Sequence, residues 1–172
     1  MAVACPVYSY RESWFALKVR ARAELSAADL LLNRGFEVFC PTYRDHRKYS
    51  DRIKKVEAAL FPGYLFCRFE WSNRLPVLTV PNVEYIVGFG HQPSPADPVE
   101  VDAIQTLVRS GLLCRPHPFL RVGQRVRLQS GPLANIEGIL IGDRGNHRLV
   151  VSVDLLQRSI AVEVDTAFVR PA

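Results

Sequence analysis

Residues 60–69, LFPGYLFCRF, form a dense run of aromatic and aliphatic side chains with one turn signal, Pro62-Gly63, near the start. That composition predicts a β-strand with a turn at its entry. Strand alternation would set Tyr64, Phe66 and Arg68 on one face and Leu65, Cys67 and Phe69 on the other. A face that carries two aromatics and a cation reads two ways: a core face with an arginine at its rim, or an exposed aromatic patch that grips a partner.

Working outward, residues 14–19, WFALKV, predict an earlier strand. Leu25, Ala28, Leu31 and Leu32 then recur at three- and four-residue steps, which predicts a helix over residues 22–33 with Gly35 as its C-terminal cap. Residues 36–43 predict a second strand leading into a basic loop. Downstream, residues 74–80 predict a short helix, residues 83–89 a fourth strand, and residues 99–110 a helix with Val101, Ile104, Leu107 and Val108 on one side. Between the last two, HQPSPADP (residues 91–98) has three prolines and predicts no regular structure. RPHP (residues 115–118) predicts a stiff, extended linker.

From Phe119 onward the pattern becomes alternating: Val126 and Leu128 inward against Arg125 and Arg127 outward, then Ile160, Val162 and Val164 inward against Ala161 and Glu163. With turn signals at Ser130-Gly131-Pro132 and at residues 142–145, this half predicts a small five-stranded β-barrel. The expected organisation is α+β: an N-terminal antiparallel sheet with flanking helices over residues 11–110, a linker over 111–118 and a barrel over 119–172.

The 172 residues are 48% hydrophobic and 23% charged, which excludes a disordered chain. No apolar run reaches the ~18 residues that cross a bilayer, and the N-terminus lacks a secretory signal, so the expectation is a cytosolic protein with no membrane partner. Of the net charge of +5, residues 44–55 (RDHRKYSDRIKK) account for +4, so one segment presents most of the excess to anionic partners. The cysteines at 5, 40, 67 and 114 stand singly, with no CxxC and no histidine at zinc-ligand spacing. They read as reduced apolar residues, and no metal or cofactor is expected. The phosphate-loop, dinucleotide, HExxH and GxSxG patterns are all missing, which argues against an enzyme and for a binding module.

Two further sets carry binding chemistry. Arg20, Arg22 and Arg34 with Asn33, on and after the first helix, and the basic loop offer contacts to phosphates or unpaired bases; a solvated surface would use the same residues. Residues 123–138, GQRVRLQSGPLANIEG, place a strand, a glycine-proline turn and a second glycine in one short frame.

That frame resembles the KOW motif, the glycine-containing hairpin of a small barrel found in transcription and ribosomal proteins. WFALKV, the helix with Glu24 and Gly35, VFCPTYR, LFPGYLF and VPNVEYIVGFG resemble the NusG N-terminal domain. The resemblance covers nearly the whole chain. YSDRIKKVEAALFPGYLF, GFGHQPSPADPVE and LQRSIAVEV are similar to the specialised NusG paralogues of the RfaH, UpxY and LoaP type.

The resemblance implies a monomeric transcription elongation and antitermination factor. Such a factor rides on RNA polymerase at the clamp helices of the largest subunit, suppresses pausing and promotes terminator read-through in particular operons. Tyr64, Phe66 and Phe89 fall on the aromatic positions that grip the clamp. Arg20, Asn33 and Arg34 fall where the family meets the non-template DNA strand, with nascent RNA as the other candidate; the family's usual residue at Asn33 is arginine. The threonine-rich stretch by which RfaH touches the opposite wall of the cleft is replaced by Arg74-Leu75-Pro76-Val77. In the KOW hairpin, Gly131, Pro132, Leu133, Ile136 and Gly138 mark the surface that meets a small-subunit ribosomal protein or the Rho terminator, with Leu133 and Ile136 standing where phenylalanines are common. The barrel's β-branched alternation favours strands over a refolded helical state. The alternative is a KOW-type RNA-binding protein acting on leader RNA or ribosomes, in which the basic loop, Arg125 and Arg127 hold phosphates and the aromatics are core.

Overall fold

The computed structural model describes residues 12–48, 50–90, 92–143 and 145–172, in which three α-helices and fourteen strands follow one another. The N-terminal half runs β1 (Ser13–Val19), α1 (Glu24–Asn33), β2 (Glu37–Phe39), β3 (Thr42–Lys48), β4 (Ile53–Ala59), β5 (Tyr64–Phe69), α2 (Arg74–Leu78), β6 (Val83–Ile86), β7 (Gly88–Phe89), β8 (Gln92–Pro93) and α3 (Pro98–Arg109). The C-terminal half is β9 (Cys114–Pro118), β10 (Gln124–Leu128), β11 (Glu137–Asp143), β12 (Asn146–Val153), β13 (Arg158–Glu163) and β14 (Val169–Pro171).

The first sheet has the order β2-β5-β1-β6 and is antiparallel throughout. Its inner face, with Phe15, Leu17, Leu65, Cys67 and Ile86, is buried under Ala27, Ala28 and Leu31 of α1 and Val77 of α2. Helix α1 ends as the sequence predicts: Gly35 takes φ +87°, a conformation glycine adopts without a Cβ clash, and the N–H groups of Arg34 to Phe36 return to the carbonyls of Leu30 to Leu32. Helix α3 starts on Asp97, whose carboxylate accepts the Val99 N–H at 2.8 Å, with Pro98 in the first turn.

The C-terminal half is one six-stranded antiparallel sheet, β14-β10-β11-β12-β13-β9, where five strands were expected. The sixth is the predicted linker. RPHP belongs to β9 and pairs with β13, Pro116 opposite Ile160 and Pro118 opposite Arg158. Two prolines of the same parity fit there because β9 is an edge strand, where a missing N–H can face solvent.

Further expectations change, among them the strand over residues 83–89, which breaks after Ile86 into β6 and β7 in different sheets. The strand over residues 36–43 breaks at Cys40-Pro41 into β2 and β3, which belong to different sheets. The basic loop is a regular hairpin, β3 paired with β4 from Thr42 opposite Ala59 to Lys48 opposite Ile53. Within 91–98, Gln92-Pro93 forms a short strand opposite β7; His91 lies outside the described residues. In β13, Ala161 is buried beside Ile160 and Val162, so that strand is covered on both faces.

A single apolar cluster joins the two halves. It runs from Ala16, Phe61 and Phe66 through Val101, Ile104 and Leu107 of α3 to Val126, Leu149, Val151 and Ile160 of the second sheet. α3 therefore serves as a wall of both halves, and its Glu100 Oε1 accepts the Asp154 N–H across the junction at 3.3 Å.

Candidate functional site

The outer face of the first sheet consists of cross-strand rows. Phe39, Phe66 and Ala16 form the middle row, and Val87 donates its N–H to the Ala16 carbonyl. Glu37, Arg68 and Trp14 form the row at one end, with an Arg68–Glu37 ion pair of 3.4 Å between two exposed side chains. Tyr64, Lys18 and Tyr85 form the row at the other end.

Alternation placed Tyr64, Phe66 and Arg68 on one face correctly, but their exposure differs. Phe66 is fully buried, stacked on Phe39 with ring centres 6.0 Å apart and edge-on to Phe61 at 5.9 Å. The expectation that Phe66 presents a contact surface is therefore corrected: it lies in the middle of this face, in the cluster that α3 and the second sheet cover. Tyr64 is half-buried, with the Lys18 ammonium 5.2 Å from its ring centre.

The turn that carries Tyr64 is tightly held. The Gly63 N–H donates to Glu24 Oε1 at 2.7 Å, its carbonyl accepts the Val19 N–H at 2.8 Å, and the Tyr64 N–H returns to the Phe61 carbonyl at 2.9 Å. Gly63 has φ +82°, and a Cβ there would sit 2.6 Å from Lys18 Nζ. Glu24, one of two buried polar or charged side chains among the described residues, thus reaches from α1 to fix this turn.

Phe89 is 66% exposed at the end of β7, beyond the point where the chain leaves the sheet. The Val87 N–H bonds the Ala16 carbonyl, so the chain leaves the sheet on the Trp14 side, away from the row of Tyr64, Lys18 and Tyr85. Sequence reasoning missed Lys18 and Tyr85, which is 52% exposed, because strand neighbours are not legible before the register is known.

The expected nucleic-acid residues do not converge. Arg20 precedes α1, and Asn33 and Arg34 end it, about 15 Å away along a ten-residue helix. All three are exposed, but Arg34 Nη1 donates to the Pro76 carbonyl at 2.6 Å and to Thr79 Oγ1 at 2.8 Å, which ties α1 to α2. Arg44, Lys48, Arg52, Lys54 and Lys55 are exposed on or beside the β3–β4 hairpin.

In the KOW-like segment, Gly131 and Pro132 are exposed, and Gly131 takes φ +84° at the turn. Leu133 and Ile136 are buried in the shared core, so their expected role as contact residues is corrected. The loop turns inward there: the Leu128 N–H donates to the Ile136 carbonyl and the Asn135 N–H to the Leu128 carbonyl. Gly138 has a structural role, since a Cβ would lie 2.6 Å from the Val150 carbonyl oxygen.

A cleft of about 1050 Å³ separates α3 from the second sheet and is lined by Glu100, Asp102, Arg121, Arg125, Ser152 and Asp154, among others. Burial raises the Glu100 carboxyl above the ordinary glutamate range; the Asp154 N–H opposes the shift, while the Asp154 and Asp97 charges add to it. Burial likewise pushes the Cys40 and Cys67 thiols up to about 12, aided by Glu24, Glu57 and Asp29 near Cys40 and by Glu37 near Cys67. Among the described residues no three metal-ligating side chains come together, and no helix is long and apolar enough to cross a membrane.

The family described as "Transcription termination factor nusG" matches residues 12–105. The "Transcription termination/antitermination protein NusG" of Lactococcus lactis is 28% identical over 170 residues, 91% of each chain. Its namesake in Escherichia coli K12 is 33% identical over 141 residues, 79% of this chain and 78% of that one. A solved structure described as "Domain interaction in Thermotoga maritima NusG" superposes with a TM-score of 0.55 at 20% identity, over 94% of this chain and 97% of the other, and so shares the fold.

Proposed function

The chain belongs to the NusG family and is thus a transcription elongation and termination factor, and from that premise we propose that it binds RNA polymerase at the clamp helices through the residues that the shared core leaves open around the outer face of its first sheet. Tyr64 and Phe89 are the aromatic contacts, and Phe66 lies in the core. The observation that carries this reading is the exposure of Phe89, just beyond the first sheet, with Tyr64 partly exposed on a turn that Glu24 holds. A factor docked across the clamp lowers the population of open and backtracked states, and that population shift needs no chemistry of its own. It suppresses pausing and promotes read-through, as a specialised paralogue does in particular operons. Arg20 and Asn33 are the side chains left to meet the displaced DNA strand, since Arg34 is engaged by α2. Of the KOW-hairpin residues, Gly131 and Pro132 are the exposed ones and would meet a further partner, a small-subunit ribosomal protein or Rho.

The exposed cations of the β3–β4 hairpin favour a second reading, RNA binding, and salt separates the two. Phosphate contacts weaken steeply as salt rises, whereas apolar docking persists. The test is co-purification of RNA polymerase with the wild-type protein and with the Tyr64→Ala/Phe89→Ala variant at low and high salt. Retention by the wild type at both salts and loss by the variant is expected. Equal retention by both proteins would remove these residues from the interface.

A further inference from the structure

We propose that Lys18 is the charge anchor of this docking face and pairs with a carboxylate that a helix of the polymerase inserts between Tyr64 and Tyr85. The inference deepens the docking reading above and rests on it. Lys18 lies directly opposite Tyr64 on one side and Tyr85 on the other, so the three side chains share a face in one row. Its ammonium is half-buried, donates to the Val19 carbonyl at 3.1 Å and lies against the Tyr64 ring.

An ammonium has three N–H donors, and here one carbonyl uses one of them. Among the described residues no carboxylate lies within ion-pair distance of Lys18; the two ion pairs are Arg68–Glu37 and Arg127–Glu137. The nearby Glu24 carboxylate serves the Gly63 N–H instead. A half-buried cation whose one nearby carboxylate is committed to a backbone N–H gains from a second carboxylate supplied from outside.

The flanks of the row decide what supplies the carboxylate. Phosphate recognition gathers several cations around the anion, as the β3–β4 hairpin does. This row has a single cation between two rings, one of them 52% exposed, and so fits an apolar protein surface carrying one acid. The rings would shield the pair from water and make it stronger than an exposed pair. The Lys18 side chain is also restrained, because the Glu24-held turn at Gly63 closes over its ammonium.

Binding of nucleic-acid-free RNA polymerase core to the full chain, measured at about 0.1 and 0.5 M salt, tests this. Lys18→Gln should weaken binding about 10-fold at low salt and flatten its salt dependence, Lys18→Glu should weaken it further, and Lys18→Arg, which keeps charge and stem, should restore it. Tyr85→Ala should weaken binding while leaving the salt dependence intact. Wild-type binding that Lys18→Gln leaves unchanged in affinity and salt dependence would overturn the anchor and spare the docking reading. A wild type that fails to bind core polymerase would overturn both. Loss of binding to a single-stranded oligonucleotide, with polymerase binding unchanged, would assign Lys18 to phosphate and also overturn the proposal.

Discussion

Replacing Glu24 tests whether one buried carboxylate sets the shape of the docking face. Its Oε1 accepts the Gly63 N–H at 2.7 Å, and both residues are buried. Alanine removes the acceptor and leaves that N–H unpaired away from water, a loss of about 1–3 kcal/mol. Glutamine keeps an oxygen in place and replaces a charge-assisted bond with a neutral one, so its cost should lie nearer ~1 kcal/mol. With a urea dependence of roughly 1–3 kcal/mol per molar for a small protein, Glu24→Ala should move the unfolding midpoint down by about 1 M and Glu24→Gln by about half as much. Fluorescence of Trp14 and Trp71 reports the transition. Since the same bond fixes the turn before Tyr64, Glu24→Ala should also weaken polymerase co-purification in conditions where it is still folded. Equal midpoints for the alanine and glutamine variants would refute the reasoning, because the hydrogen bond would then not be what the side chain contributes.

Phe66→Ala should cost about 3–5 kcal/mol in urea unfolding, as loss of a fully buried ring does, whereas Phe89→Ala should change stability by less than about 0.5 kcal/mol while weakening polymerase association. Because α3 is a wall of both halves, Ile104→Ala should cost about 2–5 kcal/mol and the chain should unfold in one transition; separate transitions for the two halves would contradict the shared core. A Glu100 carboxyl raised in the folded state binds its proton more tightly there than in the unfolded chain, so its contribution to stability falls as pH rises from the ordinary glutamate range through the raised value. Glu100→Gln should therefore stabilise the protein at neutral pH, and the gain should vanish below that window in thermal melts across pH. With Cys40 and Cys67 pushed up to about 12, iodoacetamide at pH 8 should leave both unmodified in the folded protein and label them in urea, as peptide mapping would show.

The elements the sequence revealed are those whose burial is one-sided. α1 buries Ala27, Ala28 and Leu31 on one side and ends at a glycine, although the Leu25 and Leu32 that the spacing set on its stripe are exposed, and β10 sets Val126 and Leu128 against exposed Arg125 and Arg127. The β3–β4 hairpin escaped because much of it is exposed and charged and shows no alternation, so its pairing became visible only with the register. β9 escaped because prolines argue against a strand everywhere except at an edge, and edge position is a property of the finished sheet. The site was half legible. Alternation gives the shared face of Tyr64 and Phe66, but whether a ring on that face is core or surface depends on α3, which arrives more than thirty residues later in the chain. Leu133 and Ile136 show the same limit: a loop sequence suggests exposure, and the inward turn buries them.

Single-round transcription by purified RNA polymerase, on a template with a pause and a terminator, measures the central claim. Shorter pauses and more read-through are expected with the protein present, and loss of both effects with the Tyr64→Ala/Phe89→Ala variant. Unchanged pause lifetimes and termination on several templates, with folded wild-type protein in excess over polymerase, would contradict that claim.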